Sequence, residues 1–324
     1  MGIDRSTLKF LVAAHESGVS FAETVMVGRQ AVAVGPRDLG RVLTAHGLLT
    51  DDAARRDFLD RLAQSGWYAE PLFQQLGATE VHTLDTSDYE GADILWDLNQ
   101  PVPPELHSRF TVLLDAGSLE HIFNAPVALM SYMRMVRPGG HLLLALPANN
   151  LCGHGMYQFS PEFFYSTLSE QNGFTVERMI MWELDLTPTR SIFGRQFTVV
   201  GKARHYAVTD PRTLGERVTL VNRLPALLWV QAKRISDQPI AAVQQSDYVT
   251  TWASAQDTAV PESDRVSRLA SRLVPSPAAR TILYQRITYD VIPRLLPLID
   301  PARRLRAMRQ RSFGNRRHYK RLDR

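Results

Sequence analysis

At 324 residues, 44% of them hydrophobic and 22% charged, the chain can hold one large α/β domain with an appendage, or two domains. No apolar run reaches the roughly 18 residues that span a bilayer. The single cysteine, Cys152, excludes an internal disulfide and any multi-thiolate zinc site. The net charge of +4 is unevenly spread, because residues 301–324 hold ten Lys and Arg against Asp323 and so leave −5 for residues 1–300. Asp4, Arg5 and Lys9 interrupt the N-terminus where a secretory signal would need a long apolar core, so a cytoplasmic location is expected.

In chain order, residues 5–17 predict a helix and Glu23–Gly28 the first strand. Gly35-Pro36 breaks the chain before two helices at 37–46 and 51–64, the second opening on an Asp51-Asp52 cap. Residues 68–76 form a further helix ended by Gly77. Glu80–Asp85 and Ala92–Asp97 read as the second and third strands, and Pro101–Pro104 links them to a fourth at Phe110–Asp115. Ala128–Val136 follows as a helix with Leu129, Met133 and Val136 on one side. Pro138-Gly-Gly stops it and starts the fifth strand at Leu142–Leu146. Residues 161–171 predict a helix capped by Ser160, and 173–182 a sixth strand. The seventh lies at 197–202 or 225–233, both candidates for an antiparallel edge. Residues 237–263 read as a polar loop and 264–310 as helical.

A strand, a crossover helix and a strand make the unit of a parallel sheet, whose ligands bind beyond the carboxyl ends of the strands. The expected fold is therefore α/β: a doubly wound, mostly parallel, seven-stranded Rossmann-like sheet with an antiparallel edge strand, plus a C-terminal helical appendage. Residues 1–235 would form the α/β domain, with a helical insertion at about 37–66 that can lid the site. Residues 236–300 would be a loop and helical extension, and 301–324 an Arg-rich tail.

Asp115-Ala-Gly-Ser-Leu-Glu-His121, followed by Arg137-Pro-Gly-Gly140, resembles the second half of a class I S-adenosylmethionine-dependent methyltransferase. The likeness continues through Pro147–Asn150, Gly153–Pro161 and Asn172–Val176, and covers roughly residues 20–205. It implies S-adenosylmethionine as cofactor, with Asp85 and the following Thr86 at the ribose and Asp97 with Leu98 beside the adenine. Gly28, Asp115 and Gly117 complete the expected cofactor contacts. The first strand departs from the family: Gly28 stands alone where Gly-x-Gly-x-Gly is usual. Arg29 and Gln30 can replace that loop by side-chain contacts to the methionine carboxylate, since an Arg fork suits a carboxylate. Each of these residues also has a plainer reading as a turn, a cap or a surface group.

Methyl transfer from a sulfonium needs an aligned acceptor and, for a hydroxyl, a base. His121 and His154 both follow strands on the ligand edge, so either can serve. Glu120, Asp115 and Asn149 or Asn150 can orient the acceptor. Asp115 and Glu120 suggest a hard divalent ion only weakly, so no metal site is assigned. Tyr157, Gln158 and Phe159 offer an aromatic wall suited to a sugar, or simply pack the next helix. The leading expectation is O-methylation of a glycan or other polar small molecule. The alternatives are a scaffold that has lost the cofactor, an RNA methyltransferase suggested by the tail, and a weak nicotinamide reading. The basic tail can meet an anionic membrane or an acidic partner, or be a solubilising and partly disordered terminus. The acidic remainder speaks against nucleic acid.

Overall fold

A computed structural model describes residues 2–184, 186–192, 195–200, 203–241, 243–246, 248, 276–287, 305 and 308–322. Its centre is a nine-stranded sheet. Strands β1 (Glu23–Val27), β2 (Glu80–Asp85), β3 (Ile94–Leu95), β4 (Phe110–Asp115) and β5 (Val136–Asn149) run parallel in the order β3-β2-β1-β4-β5. The chain winds outward from β1 to β3, then returns to the far side of β1 with β4. That reversal between β1 and β4 is where such sheets open a ligand crevice.

Every residue of β4 is buried, as expected of a strand covered on both faces. Val25, Leu113, Leu142 and Leu144 face one apolar cluster beneath α5 (Ala125–Met135) and α6 (Pro161–Thr167). Met26, Val112, Leu114 and Leu143 face the other. That second layer consists of α1 (Arg5–Glu16), α2 (Pro36–Ala45), α3 (Asp52–Gln64) and α4 (Glu70–Gln75). Caps set where these helices start: Asp4 accepts the Thr7 N–H at 2.7 Å, and Asp51 those of Ala53 and Ala54 at 2.8 Å each. Leu39, Leu43, Phe58 and Leu62 of α2 and α3 are buried in this layer, which commits the predicted insertion to the core.

Two expectations need correction. The candidate at 225–233 is interior: β10 (Ala226–Arg234) lies between β5 and β6 (Phe174–Glu183), antiparallel to both. The other candidate falls at β8 (Arg195–Val200), which pairs with β7 (Leu186–Ile192) in a separate hairpin. The sheet also exceeds seven strands. β9 (His205–Val208) joins β6, and β11 (Tyr319–Arg321), drawn from the Arg-rich segment, joins β9. Tyr319 is 1% exposed, and Phe313 stacks on Tyr206 at 4.1 Å between centroids. Residues 308–322 are therefore docked on the domain, with their Arg and Lys side chains exposed.

Helix α8 (Pro277–Gln285) falls within the predicted helical stretch; most of 249–307 and residues 323–324 lie outside the described residues. Among the described residues, no helix is long and apolar enough to cross a membrane.

Candidate active site

The loop after β4 is built around one carboxylate. Asp115 ends the strand fully buried and accepts N–H groups from Gly117 at 3.0 Å, Ser118 at 2.7 Å and Leu119 at 2.9 Å. The Tyr132 hydroxyl, reaching in from α5, donates a fourth bond at 3.0 Å. Burial pushes the Asp115 pKa up while these donors pull it down. The sequence placed Asp115 and Gly117 at the cofactor. Asp115 is enclosed and fully bonded, and the Gly117 N–H points at it, so both shape the loop.

That loop turns the next carboxylate inward. Glu120 is 0% exposed, and neither of its oxygens has a hydrogen-bond partner. Burial, and then the Asp115 charge, push its pKa up to about 7. Two imidazoles converge on Oε1: His154 Nε2 at 3.5 Å and His121 Nε2 at 3.8 Å. Both contacts are too long for good hydrogen bonds. The two rings lie 5.5 Å apart, and partial burial lowers the pKa of each.

His154 arrives from the turn after β5, where its N–H bonds to Leu151 O at 3.0 Å and the Met156 N–H bonds to Glu120 O at 2.8 Å. A Cβ on Gly155 would stand 2.8 Å from both Glu120 Cγ and Glu120 O. Only glycine lets this turn lie against the carboxylate. The three candidate catalytic residues are thus brought together.

The cofactor residues divide. Gly28 (φ +66°) bonds to Leu84 O, and a Cβ there would stand 3.0 Å from Ser118 Oγ and 3.8 Å from Asp85 Oδ2. Asp85 Oδ1 accepts the Thr86 N–H at 2.6 Å, which leaves Oδ2 facing Gly28. Asp97 is exposed beyond β3, with Oδ1 holding the Asn99 backbone and side-chain amides at 2.9 and 2.8 Å. Leu98 is buried in the core, so only its backbone can face a ligand.

Arg29 and Gln30 are drawn into the surrounding loops. Arg29 pairs with Glu70 at 2.6 Å, donates to Glu90 O at 3.0 Å and lies 4.1 Å over the Tyr68 ring. Gln30 is 5% exposed and donates to Val27 O at 2.7 Å. Both brace loops, Arg29 through Nε and Nη1 and Gln30 through its side-chain amide.

Asn149 and Asn150 donate their amides to Asn222 Oδ1 at 2.8 Å each, tying β5 to the loop before β10 instead of orienting an acceptor. The Tyr157 hydroxyl donates to Phe123 O at 2.6 Å, and Phe159 packs against Phe163 and Phe164, so this wall supports α6. Phe123 and Met156 remain exposed beside the cluster. Sequence reasoning missed Ser118, Tyr132 and Gly155 as site-builders, although Gly155 lies within the Gly153–Pro161 stretch of the likeness. A separate cavity of about 350 Å³, lined in part by His107, Arg134 and Arg234, lies at the opposite edge of the sheet.

No protein-family model matches the sequence, and no curated protein does. Among solved structures, the N-methyltransferase NodS from Bradyrhizobium japonicum is similar at 12% identity, with 72% of this chain and 96% of that one covered and a TM-score of 0.34. A SAM-dependent methyltransferase from Thermotoga maritima is similar at 12% identity, covering 72% and 90%, with a TM-score of 0.34. The MccD protein is similar at 10% identity, covering 69% and 96%, with a TM-score of 0.39. At such scores the likeness carries no residue role to this chain.

Proposed function

We propose that the chain is an S-adenosylmethionine-dependent O-methyltransferase acting on a hydroxyl of a sugar, a glycan or another polar small molecule. The observation that carries this reading is the pairing of two groups on one sheet edge. Asp85 keeps an oxygen turned toward Gly28, and across Ser118 lies the Glu120–His121–His154 cluster.

The fit to the cofactor is good at one end. Gly28 lacks the Cβ that would fill the space between Ser118 and Asp85, and Asp85 has the carboxylate that ribose hydroxyls need. The Asp97–Asn99 turn offers backbone groups for an adenine. At the methionine end, Gln30 gives its amide to Val27 O and Arg29 gives Nε and Nη1 to Glu70 and Glu90, so backbone amides would carry most of a carboxylate contact. When bound, the cofactor supplies an electrophilic methyl on sulfur. The chain's own part is to align the acceptor and take its proton. His121 and His154, held below the ordinary imidazole pKa by burial, are neutral near pH 7 and present Nε2 beside Glu120. The carboxylate can then steady an imidazolium.

Calorimetric titration with S-adenosylmethionine and S-adenosylhomocysteine tests the reading. Micromolar binding that Asp85→Ala weakens about tenfold or more is the expected result. No binding at millimolar ligand would favour a scaffold that kept the fold, a reading supported by the engagement of Arg29 and Gln30.

A further inference from the structure

We propose that Glu120, His121 and His154 form a binding site for one divalent transition-metal ion of the zinc type. Three independent features lead there. First, a carboxylate with no exposure and no hydrogen-bond partner on either oxygen is an expense that folded proteins rarely leave standing. A cation facing Oε1 would remove it. Second, the spacing fits. Ligand distances of about 2.0–2.2 Å around a tetrahedral ion set neighbouring donor atoms roughly 3.4 Å apart. Here Oε1 lies 3.5 Å from one imidazole nitrogen and 3.8 Å from the other, and all three ligand atoms fall within 4.8 Å of one another. Third, the donors are of the right kind. Two imidazoles and one carboxylate suit zinc, iron, cobalt or manganese better than magnesium or calcium.

The scaffold around the three donors is already rigid. Asp115 and Tyr132 fix the loop that carries Glu120 and His121, and Gly155 lets the His154 turn approach without a clash. The imidazoles are 48% and 33% exposed on the side away from the core, so a fourth position would open to solvent. Three protein ligands with an open position make the catalytic pattern of metal site rather than the closed structural one. An acceptor hydroxyl in that position would lose its proton to solvent more readily, with the histidines acting as ligands instead of bases. That use of the ion rests on the proposed methyl transfer; the binding itself does not.

The experiment is titration of chelator-stripped full-length protein with Zn²⁺ by calorimetry and with Co²⁺ by visible absorption. One ion per chain at micromolar or tighter affinity is expected, with the absorption of Co²⁺ bound by nitrogen and oxygen ligands. Glu120→Gln and the partly exposed His121→Ala should each weaken binding about a hundredfold or more, and Gly155→Ala should weaken it with all three ligands retained. Circular dichroism confirms that each variant is folded. Binding no tighter than millimolar, or binding unchanged in both ligand variants, overturns the proposal. S-adenosylmethionine titration of the same samples keeps the two readings apart. Zinc bound without cofactor defeats the function and leaves the metal site standing, whereas cofactor bound without zinc does the reverse.

Discussion

Two loops leave neighbouring strands at the same edge of the sheet and are ordered in opposite ways. After β1, each polar side chain the sequence offers is engaged: Arg29 with Glu70 and Glu90, Gln30 with Val27. After β4, one buried carboxylate gathers three backbone amides and a phenol, and the next carboxylate is left without a hydrogen bond. Both loops carry charged and polar side chains, so their mere presence does not distinguish the two. Chemistry is to be sought where a polar group is held rigidly without a partner, and that is the β4 loop.

Asp115→Ala should break this contrast most severely. It strands three amides and a hydroxyl in a dry site, so a loss of about 4 kcal/mol in urea unfolding is expected. A loss below about 1 kcal/mol would mean that the loop does not depend on the carboxylate.

The next effect concerns pH, measured on metal-free protein. The Glu120 carboxyl ionises near 4.5 when unfolded and near 7 when folded. Between those values the folded state holds the extra proton, so stability should fall as pH rises through the window, by about 3 kcal/mol. His121 and His154, whose pKa values are lowered, act in the opposite sense below 6.5. The difference between wild type and Glu120→Gln isolates the carboxyl term. An equal pH dependence in the two proteins would assign the effect to another group.

Smaller still is Tyr132→Phe, which removes one donor to a buried carboxylate and should cost about 2 kcal/mol. A neutral outcome would show that the backbone amides suffice.

Last comes Arg29→Ala, which loses a partly exposed ion pair and should cost about 1 kcal/mol in thermal unfolding. Its cofactor affinity should stay within about threefold of wild type. A hundredfold loss would return Arg29 to the methionine carboxylate and erase the contrast between the loops.

Much of this was legible in the residues. Strands β1, β2 and β4 and helix α5 follow from apolar period and caps, because they are local. Glu120, His121 and His154 could be placed on one edge because each follows a strand of a parallel sheet. Their convergence on one oxygen could not, since it depends on Gly155 touching Glu120 across 35 residues of chain. The pairing of Arg29 with Glu70, 41 residues away, was not legible because it depends on the tertiary fold. The structural part Asp115 plays was hidden because it depends on Tyr132, 17 residues on, and on the shape of its own loop. The place of β10 was hidden for a different reason. A strand buried on both faces reads as a continuous apolar run whether it lies at the edge or inside. β11 was masked by its charge: Lys320 and Arg321 face solvent, and Tyr319 alone points inward.

Strand β11 also imposes an order in time. Tyr319 reaches back to bond with Thr219, 100 positions earlier in the chain, a contact that must wait for the whole intervening segment. At roughly 5–20 residues per second, the ribosome leaves the open flank of β9 unpaired for about 5–20 s while the rest of the sheet can already form. An unpaired strand flank recruits other strands. The nascent chain is therefore most vulnerable to self-association late in synthesis, and a truncation before residue 313 would make that interval permanent.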